Sequence, residues 1–332
     1  MIGVIVLLDQ FVWRPVIAWA EKFKVEQVGS GDLPRSWFLR VLRRSPLLAG
    51  LSGAGIQPVR ERLLDHFARR HESDAKPNGR RAWRVWPARL LAVAALALIC
   101  YGAARAVMAL GGLNRDDLRQ LLAGSGATFL RVNLALLLGA LWTIPAGVAI
   151  GFHPRLARAA QPLAQIAASV PATALFPVIL LVLIRMGGGL GVGSIALLLL
   201  GTQWYILFNV IAGARAIPED LKEAARIFGL RGVERWKTLV LPGIFPYLVT
   251  GLVTASGGAW NASIVAEYFH FQGRTISTLG LGSTISQATD AGNMDLLVAS
   301  TALMAAIVVI INRLVWRRMY LMAETKFRLD IS

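Results

Sequence analysis

The chain has 332 residues, of which 55% are hydrophobic and only 16% are charged, and its mean hydropathy is +0.56. These values are typical of a membrane protein and exclude an ordinary soluble domain. In a soluble chain the net charge of +16 would indicate nucleic-acid binding, but here the basic residues lie between apolar runs. The single cysteine, Cys100, excludes an internal disulfide and a cysteine-based metal cluster.

Residues 1–20 form a short apolar segment that ends with Trp13, Trp19 and basic residues. Its apolar run is shorter than the roughly 20 residues that a span needs, and it lacks the flanks of a signal peptide. We interpret the segment as an apolar or interfacial helix, the end of a span from a missing preceding module, with a short interfacial anchor as the alternative. Residues 21–88 are rich in arginine and turn residues, which indicates a basic cytoplasmic linker.

Six apolar runs follow and define a transmembrane domain over residues 89–332. Each run has about the length needed to cross a bilayer. Their approximate bounds are 90–110, 129–152, 163–186, 190–212, 244–266 and 296–316. Pro145 lies in the second run, and Pro171 and Pro177 lie in the third, where they predict kinks in the helices.

The basic residues predict how these spans are oriented. Most of the 35 Lys and Arg residues fall on one face, in the linker, in the loop at 213–243 and in the C-terminal tail. Only Arg115, Arg119 and Arg274 fall on the opposite face. The positive-inside rule therefore places the loop and the C-terminus in the cytoplasm.

The loop at 213–243 carries its own helix signals. Pro218 suits the first helical position, and Glu219 and Asp220 follow in the first turn, where carboxylates meet the positive end of the helix dipole. Gly229 lies where a left-handed C-cap belongs. Four apolar residues recur at helical spacing and predict one apolar stripe, which a partner protein could bury: Leu221, Ala224, Ala225 and Phe228.

The same loop resembles the EAA loop of binding-protein-dependent ABC importer permeases, although that family has Ile where this chain has Leu239. The matching residues are Glu223, Ala224, Ala225, Gly229, Leu239, Leu241 and Pro242. The resemblance implies that they couple the permease to an ATPase, with the helix docked in a groove of that partner. The alternative is an ordinary surface helix that lies on lipid headgroups.

The resemblance extends over residues 125–316, which are similar to the permease module of type I ABC importers. Within that family, the sequences around Asn261 and in the C-terminal tail most resemble the nitrate, sulfonate and taurine group. They are especially similar to the C-terminal half of permeases in which two modules are fused. This similarity agrees with the interpretation of residues 1–20 as the end of a missing module.

The sequence contains no Walker A loop, no His-Glu-x-x-His and no Gly-x-Ser-x-Gly, so it predicts neither an ATPase nor a hydrolase. Five polar residues within the spans or at their ends are candidates for the solute path: Arg131, Asn133, Gln203, Asn261 and Glu267. Polar groups are costly in lipid and tend to face water or a partner. The alternatives are hydrogen bonds between helices and, for Glu267, snorkelling to the interface.

We therefore expect an all-α polytopic membrane protein, with six transmembrane helices of the type I ABC importer permease fold and a short N-terminal helix remnant. The expected function is that of a permease subunit in the bacterial cytoplasmic (inner) membrane, which carries a small anion such as nitrate, sulfonate or taurine. It is expected to be no enzyme and to need no cofactor or metal.

By resemblance, the expected partners are a cytoplasmic ABC ATPase dimer, a second permease module and an extracytoplasmic solute-binding protein, besides membrane lipid and without nucleic acid. Two other classes remain open. An ion-gradient-driven secondary transporter would favour an unpaired carboxylate in mid-membrane, for which Glu267 is the nearest candidate. A non-transporting membrane scaffold would use the linker and the loop to recruit partners.

Overall fold

The computed structural model describes residues 81–271 and 273–326. The predicted helix at 1–20 and nearly all of the predicted linker at 21–88 lie outside these ranges. The first described helix, α1 (Arg81–Gly111), begins before the predicted start of the first span. The chain divides into two units between Ile99 and Cys100, within this helix, and the second unit contains all the other described elements.

Four helices follow α1 in the second unit: α2 (Arg115–Phe152), α3 (Pro154–Ser169), α4 (Ala172–Arg185) and α5 (Leu190–Ala216). The predicted third span, 163–186, is sharply bent, because α3 and α4 meet at an angle of 82° beside the predicted kink at Pro171. Pro171 lacks an N–H and disfavours a helical conformation at Val170, whose backbone is extended (φ −76°, ψ 120°). Pro145 and Pro177, in contrast, lie within α2 and α4 without ending them.

The second half of the chain begins with a short helix and ends with a long one that contains a π-helical turn. The helices are α6 (Glu219–Ile227), α7 (Gly232–Arg235), α8 (Leu241–Ala266), α9 (Leu281–Asp290), α10 (Met294–Ile311) and α11 (Arg317–Lys326). A π-helical turn, Trp236–Val240, joins α7 to α8, and another, Asn312–Trp316, joins α10 to α11. The helical backbone is therefore continuous from α7 to α8 and from α10 to α11, through a widened turn in each case.

The described chain contains one small β-hairpin, which the sequence analysis did not predict. Strands β1 (Tyr268–Phe271) and β2 (Arg274–Ser277) are antiparallel, with Phe271 opposite Arg274. Gly273 in the turn has φ +73°. The missed signal is this glycine between two runs of aromatic and β-branched residues.

The all-α polytopic class is confirmed. Five described helices are long and apolar enough to cross a membrane, and the bent pair α3–α4 provides a sixth crossing if its two helices count as one span. Large apolar side chains face outward along α2, where Leu130, Leu137 and Leu141 are 69%, 64% and 72% exposed. Apolar patches of this extent are rare on soluble proteins and are suited to lipid.

The core of the second unit lies where α5 packs between α2 and α8. Small residues allow these helices to approach closely, as expected between helices in lipid. A Cβ atom at Gly147 on α2 would lie 2.7 Å from Val210 Cγ1 on α5. A Cβ atom at Gly251 on α8 would lie 3.0 Å from the Tyr205 carbonyl oxygen on the other side of α5. The spans that meet at α5 are therefore closely packed.

Candidate functional sites

Helix α6 has the N-terminus that the sequence predicts, displaced by one residue. Pro218 is the N-cap rather than the first helical residue, a shift within the usual uncertainty of helix ends. Glu219 and Asp220 occupy the first turn. Lys222 Nζ donates to Glu219 Oε1 at 2.8 Å, and this interaction lowers the pKa of the Glu219 carboxyl group. Ile217, only 2% exposed, anchors the start of the helix in the core.

The C-terminus of α6 is a Schellman turn at Gly229. The Leu230 N–H donates to the Ala225 carbonyl oxygen at 2.9 Å, and the Gly229 N–H donates to the Arg226 carbonyl oxygen at 3.1 Å. Gly229 has φ +69°, a conformation that costs glycine little and a side chain about 1 kcal/mol or more. The sequence prediction for the left-handed position is therefore correct.

The residues of the predicted apolar stripe on α6 differ in exposure. Ala225 is buried at 5% exposure, but Leu221 is 38% exposed and Phe228 is 81% exposed. The inner face is instead formed by Ala225 and Lys222, which is 8% exposed. Ala225 faces the rest of the chain and thus has little surface for a partner, whereas Ile227, 79% exposed, and Phe228 form an apolar tip. Periodicity alone did not show which side of this short helix packs inward.

The buried ammonium of Lys222 lies against an aromatic ring at the end of α2. Its Nζ is 5.1 Å from the centroid of Phe152, and Arg235 Cζ on α7 is 5.3 Å from the same centroid. Both distances are within the range of cation–π contacts. The sequence analysis missed Phe152, Lys222 and Arg235, because the contacts join three segments that are far apart in sequence.

The remaining residues of the predicted motif lie at the π-helical turn before α8. Leu239 is part of the turn and packs partly buried against the core, whereas Leu241 is 39% exposed at the start of α8. The Leu241 N–H donates to the Trp236 carbonyl oxygen, five residues back. Pro242, which follows, has no N–H with which to continue the α-helical ladder, and this accounts for the position of the wide turn.

Of the five solute-path candidates, the structure brings only Arg131 and Glu267 together. Asn133 Nδ2 donates to the Phe129 carbonyl oxygen of its own helix at 2.8 Å. Gln203 is 7% exposed, and its Oε1 accepts a hydrogen bond from Trp142 Nε1 at 3.1 Å. Asn261 is exposed on α8. These three side chains do not form a shared site with the pair.

Glu267 is fully buried at the end of α8, so its side chain does not snorkel to the interface. Arg131 Nη1 donates to its Oε1 at 2.9 Å, and Thr128 Oγ1 donates to the same oxygen at 2.7 Å. The backbone N–H groups of Gly282 and Ser283, at the N-terminus of α9, lie 2.9 and 3.3 Å from Oε2. The carboxylate is therefore paired and bonded from α2 and α9.

Arg131 completes this connection on the loop before α9. Its Nη1 also donates to the Leu279 carbonyl oxygen at 2.6 Å, and its Nη2 donates to Thr278 Oγ1 at 3.0 Å. The arginine side chain is 13% exposed. Together Arg131 and Glu267 join α2, α8, the loop and α9, an arrangement that suits a structural role.

Beside the Arg131–Glu267 pair is a polar cleft of about 180 Å³. Its polar lining includes Gln120, Thr278, Ser283 and Gln287. Gln120 Nε2 donates to Gln287 Oε1 at 3.3 Å, and Gln287 Nε2 donates to Ser283 Oγ at 3.1 Å. The amides of this cleft are therefore bonded to one another in the described chain.

Comparison with known proteins places this arrangement in context. Residues 143–328 match the family described as "Binding-protein-dependent transport system inner membrane component". An ABC transporter permease protein of Methanocaldococcus jannaschii is 28% identical over 199 residues, which cover 57% of this chain and 71% of that protein. The nitrate import permease protein NrtB of Synechococcus elongatus is 30% identical over 162 residues, which cover 49% of this chain and 54% of that protein.

Another relative and a solved structure agree with these matches. The taurine transport system permease protein TauC of Escherichia coli is 28% identical over 181 residues, which cover 54% of this chain and 62% of that protein. The chain thus spans less than two thirds of NrtB and of TauC. An inward-facing structure of the MetNI methionine ABC transporter aligns with a TM-score of 0.52 and 20% identity, over 63% of this chain and 98% of that one. This likeness shows the fold.

The family match covers more than half of the chain, and it agrees with the apolar helices. It also places the chain in the inner membrane as a multi-pass component. The chain therefore belongs to the family of binding-protein-dependent transport system inner membrane components.

Proposed function

We propose that this chain is the permease subunit of an ABC importer and that α6 couples it to a cytoplasmic ATPase. The observation that carries the proposal is the apolar tip of α6, Ile227 and Phe228, presented by the Schellman turn at Gly229. An exposed apolar tip on a short amphipathic helix is the kind of surface that enters a groove of a partner. The chain carries no Walker A loop, so ATP hydrolysis belongs to that partner.

We assign Glu223 and Ala224 to the same docking surface as the apolar tip of α6. Glu223 is exposed, and its carboxylate can accept charge-assisted hydrogen bonds from a basic groove. Leu239, Leu241 and Pro242 are proposed to connect this surface to the spans, at the π-helical turn where α8 starts. Ala225 contributes by packing α6 against the chain.

The proposed assembly contains an ATPase dimer, a second permease module and an extracytoplasmic solute-binding protein. In this arrangement residues 89–332 form the transmembrane domain, and α6 and the C-terminus face the cytoplasm. The proposed solute is a small anion such as nitrate, sulfonate or taurine. The similarity to nitrate and taurine permeases supports this class of solute.

The proposed solute path follows the polar side chains that remain available. Asn261 is exposed on α8, and its amide has donors that suit an anion. Asn133 and Gln203 are bonded in the structure and would have to exchange those bonds for the solute. Arg131 and Glu267 neutralise each other, so we assign a structural role to this pair.

The secondary-transporter class receives less support from the site, and the scaffold class makes a different prediction about movement of the spans. A secondary transporter would favour an unpaired carboxylate in mid-membrane, whereas Glu267 is paired with Arg131 and bonded by three further donors. A non-transporting scaffold would not need movement of the spans when ATP binds.

Co-purification with the ATP-binding-cassette ATPases of the same organism tests the docking surface. Phe228→Ala, and still more the double change with Ile227→Ala, should reduce recovery of the ATPase at least tenfold. Leu279→Ala is the matched control, because Leu279 is also exposed, at 53%, but lies in the loop before α9. Unchanged recovery with the Ile227 and Phe228 variants would refute docking through α6.

A further inference from the structure

We propose that Phe152 is a positioning residue, whose ring, in contact with the cations of Lys222 and Arg235, braces α6 and α7 against the end of α2. The inference rests on the proposed function, since it concerns how motion of α6 reaches the spans. Phe152 is the last residue of α2, Lys222 belongs to α6 and Arg235 to α7. One aromatic ring thus connects three elements.

The burial of Lys222 is the first observation that supports the brace. A lysine in a short surface helix would normally extend into solvent, but Lys222 is 8% exposed and its Nζ lies 5.1 Å from the Phe152 centroid. The same Nζ pairs with Glu219 at 2.8 Å, on the first turn of the helix. The ammonium is therefore in contact with its own helix through Glu219 and with α2 through Phe152.

Arg235 provides the second observation. Its Nε is buried and has no hydrogen-bond partner among residues 81–271 and 273–326, and Arg235 forms no ion pair there. A buried donor without a partner is costly, so an attraction elsewhere must hold the side chain in this place. The guanidinium carbon lies 5.3 Å from the Phe152 centroid, and cation–π attraction increases when the cation is desolvated.

Phe152 lies at the end of α2, which is closely packed. Just before it on α2, a Cβ atom at Gly151 would lie 2.5 Å from Ala214 Cβ on α5, so the two backbones are in close contact. The end of α2 is thus closely packed against α5. Helix α6 is joined to α5 only through Ile217 and Pro218, which leaves its orientation to side-chain contacts. The brace supplies such a contact with α2, to which α6 has no neighbouring chain connection.

The mechanical consequence follows from this geometry. When an ATPase displaces α6, the helix either carries the spans with it or turns about its two-residue connection. The Phe152 ring opposes turning of α6 about this connection, because turning would separate Lys222 from the ring. The brace therefore directs displacement of α6 into the closely packed pair α2–α5.

Hydrogen exchange of the full chain in lipid nanodiscs tests the brace without a solute or an ATPase. Phe152→Leu keeps an apolar side chain but removes the π face and with it both cation–π contacts. Each lost contact should make the amides at 222–230 exchange about two- to fivefold faster, so the combined increase should be on the order of tenfold. Phe152→Tyr keeps the face and should match the unmodified chain. Lys222→Met should give about a two- to fivefold increase, which Lys222→Arg should reverse. Equal exchange in the Phe152→Leu and Phe152→Tyr variants would overturn the brace.

The mechanical role is tested with a fluorophore on Leu141→Cys, an exposed position of α2, in a Cys100→Ser background. Addition of a non-hydrolysable ATP analogue to the complex with the ATPase should change the fluorescence. Phe152→Leu should reduce that change at least by half while ATPase recovery stays normal, and Phe152→Tyr should restore it. An undiminished change in Phe152→Leu would refute the mechanical role. Failure of the unmodified chain to bind any ATPase would instead refute the proposed function, and the exchange experiment would still decide on the brace.

Discussion

Arg131 Nη1 and Glu267 Oε1 lie 2.9 Å apart, although the two residues are 136 positions apart in the sequence. The glutamate side chain is fully buried and that of the arginine is 13% exposed. Burying two charges is costly, but Thr128, the loop and the start of α9 provide further hydrogen bonds to the two groups. The pair is therefore sensitive to loss of either partner.

The first prediction concerns Glu267→Gln. The change removes the counter-charge of Arg131 and leaves the arginine largely buried, so the free energy of unfolding should fall by about 3–5 kcal/mol. Chemical unfolding in detergent micelles measures this loss. The control is Arg119→Gln, because Arg119 and Asp116 form an exposed pair at 3.8 Å that should contribute no more than about 1 kcal/mol. Similar losses in both variants would contradict the account of the buried pair.

The second prediction concerns the space around the carboxylate. Gly280 has an extended backbone that any residue can adopt, but a Cβ atom there would overlap the Glu267 carboxylate. Gly280→Ala should therefore reduce the free energy of unfolding by about 1–3 kcal/mol, through displaced side chains. Gly257→Ala is the control, since Gly257 lies within α8 and a Cβ atom would meet nothing within 4 Å. We expect the control to be neutral or slightly stabilising, and a harmless Gly280→Ala would show that the carboxylate is not confined.

The third prediction concerns the Schellman turn of α6. Gly229→Val places a β-branched side chain at φ +69° and should cost about 1 kcal/mol or more locally. Membrane insertion should be unaffected, while recovery of the ATPase in co-purification should fall. Gly229→Asn is the matched control, because asparagine tolerates the left-handed conformation and should retain most of the recovery. If the Gly229→Val variant recovers as much ATPase as the Gly229→Asn variant, the turn does not present the docking surface.

The fourth prediction concerns the orientation of the spans. Cysteine at Val233, which is 69% exposed on α7, should react with a membrane-impermeant thiol reagent only after the cytoplasmic side is opened. Cysteine at Leu279, which is 53% exposed before α9, should react in intact cells. Both variants need Cys100→Ser, since the native thiol is exposed. Reaction of the two positions from the same side would contradict the orientation given by the positive-inside rule.

The sequence alone determined those features that depend on neighbouring residues. Composition indicated a membrane protein, and apolar runs indicated the spans. Gly229 was placed correctly because a helix end is a local problem of backbone conformation and unpaired carbonyl groups. The break at Pro171 has a local cause too, but its angle of 82° depends on how α4 packs.

Only the tertiary structure decided which residues meet and which faces are buried. In a membrane helix both the lipid side and the protein side are apolar, so periodicity does not distinguish them. The sequence pattern of α6 did not reveal that Lys222 is buried and that Phe228 is exposed, because the burial of a surface helix depends on the segments that pack against it. The pairing of Arg131 with Glu267 requires α2 and α8 to be packed together, and the contacts of Phe152 with two cations require α6 and α7 to be packed against α2. Such contacts are properties of the assembled helices, because their members share no local segment of chain.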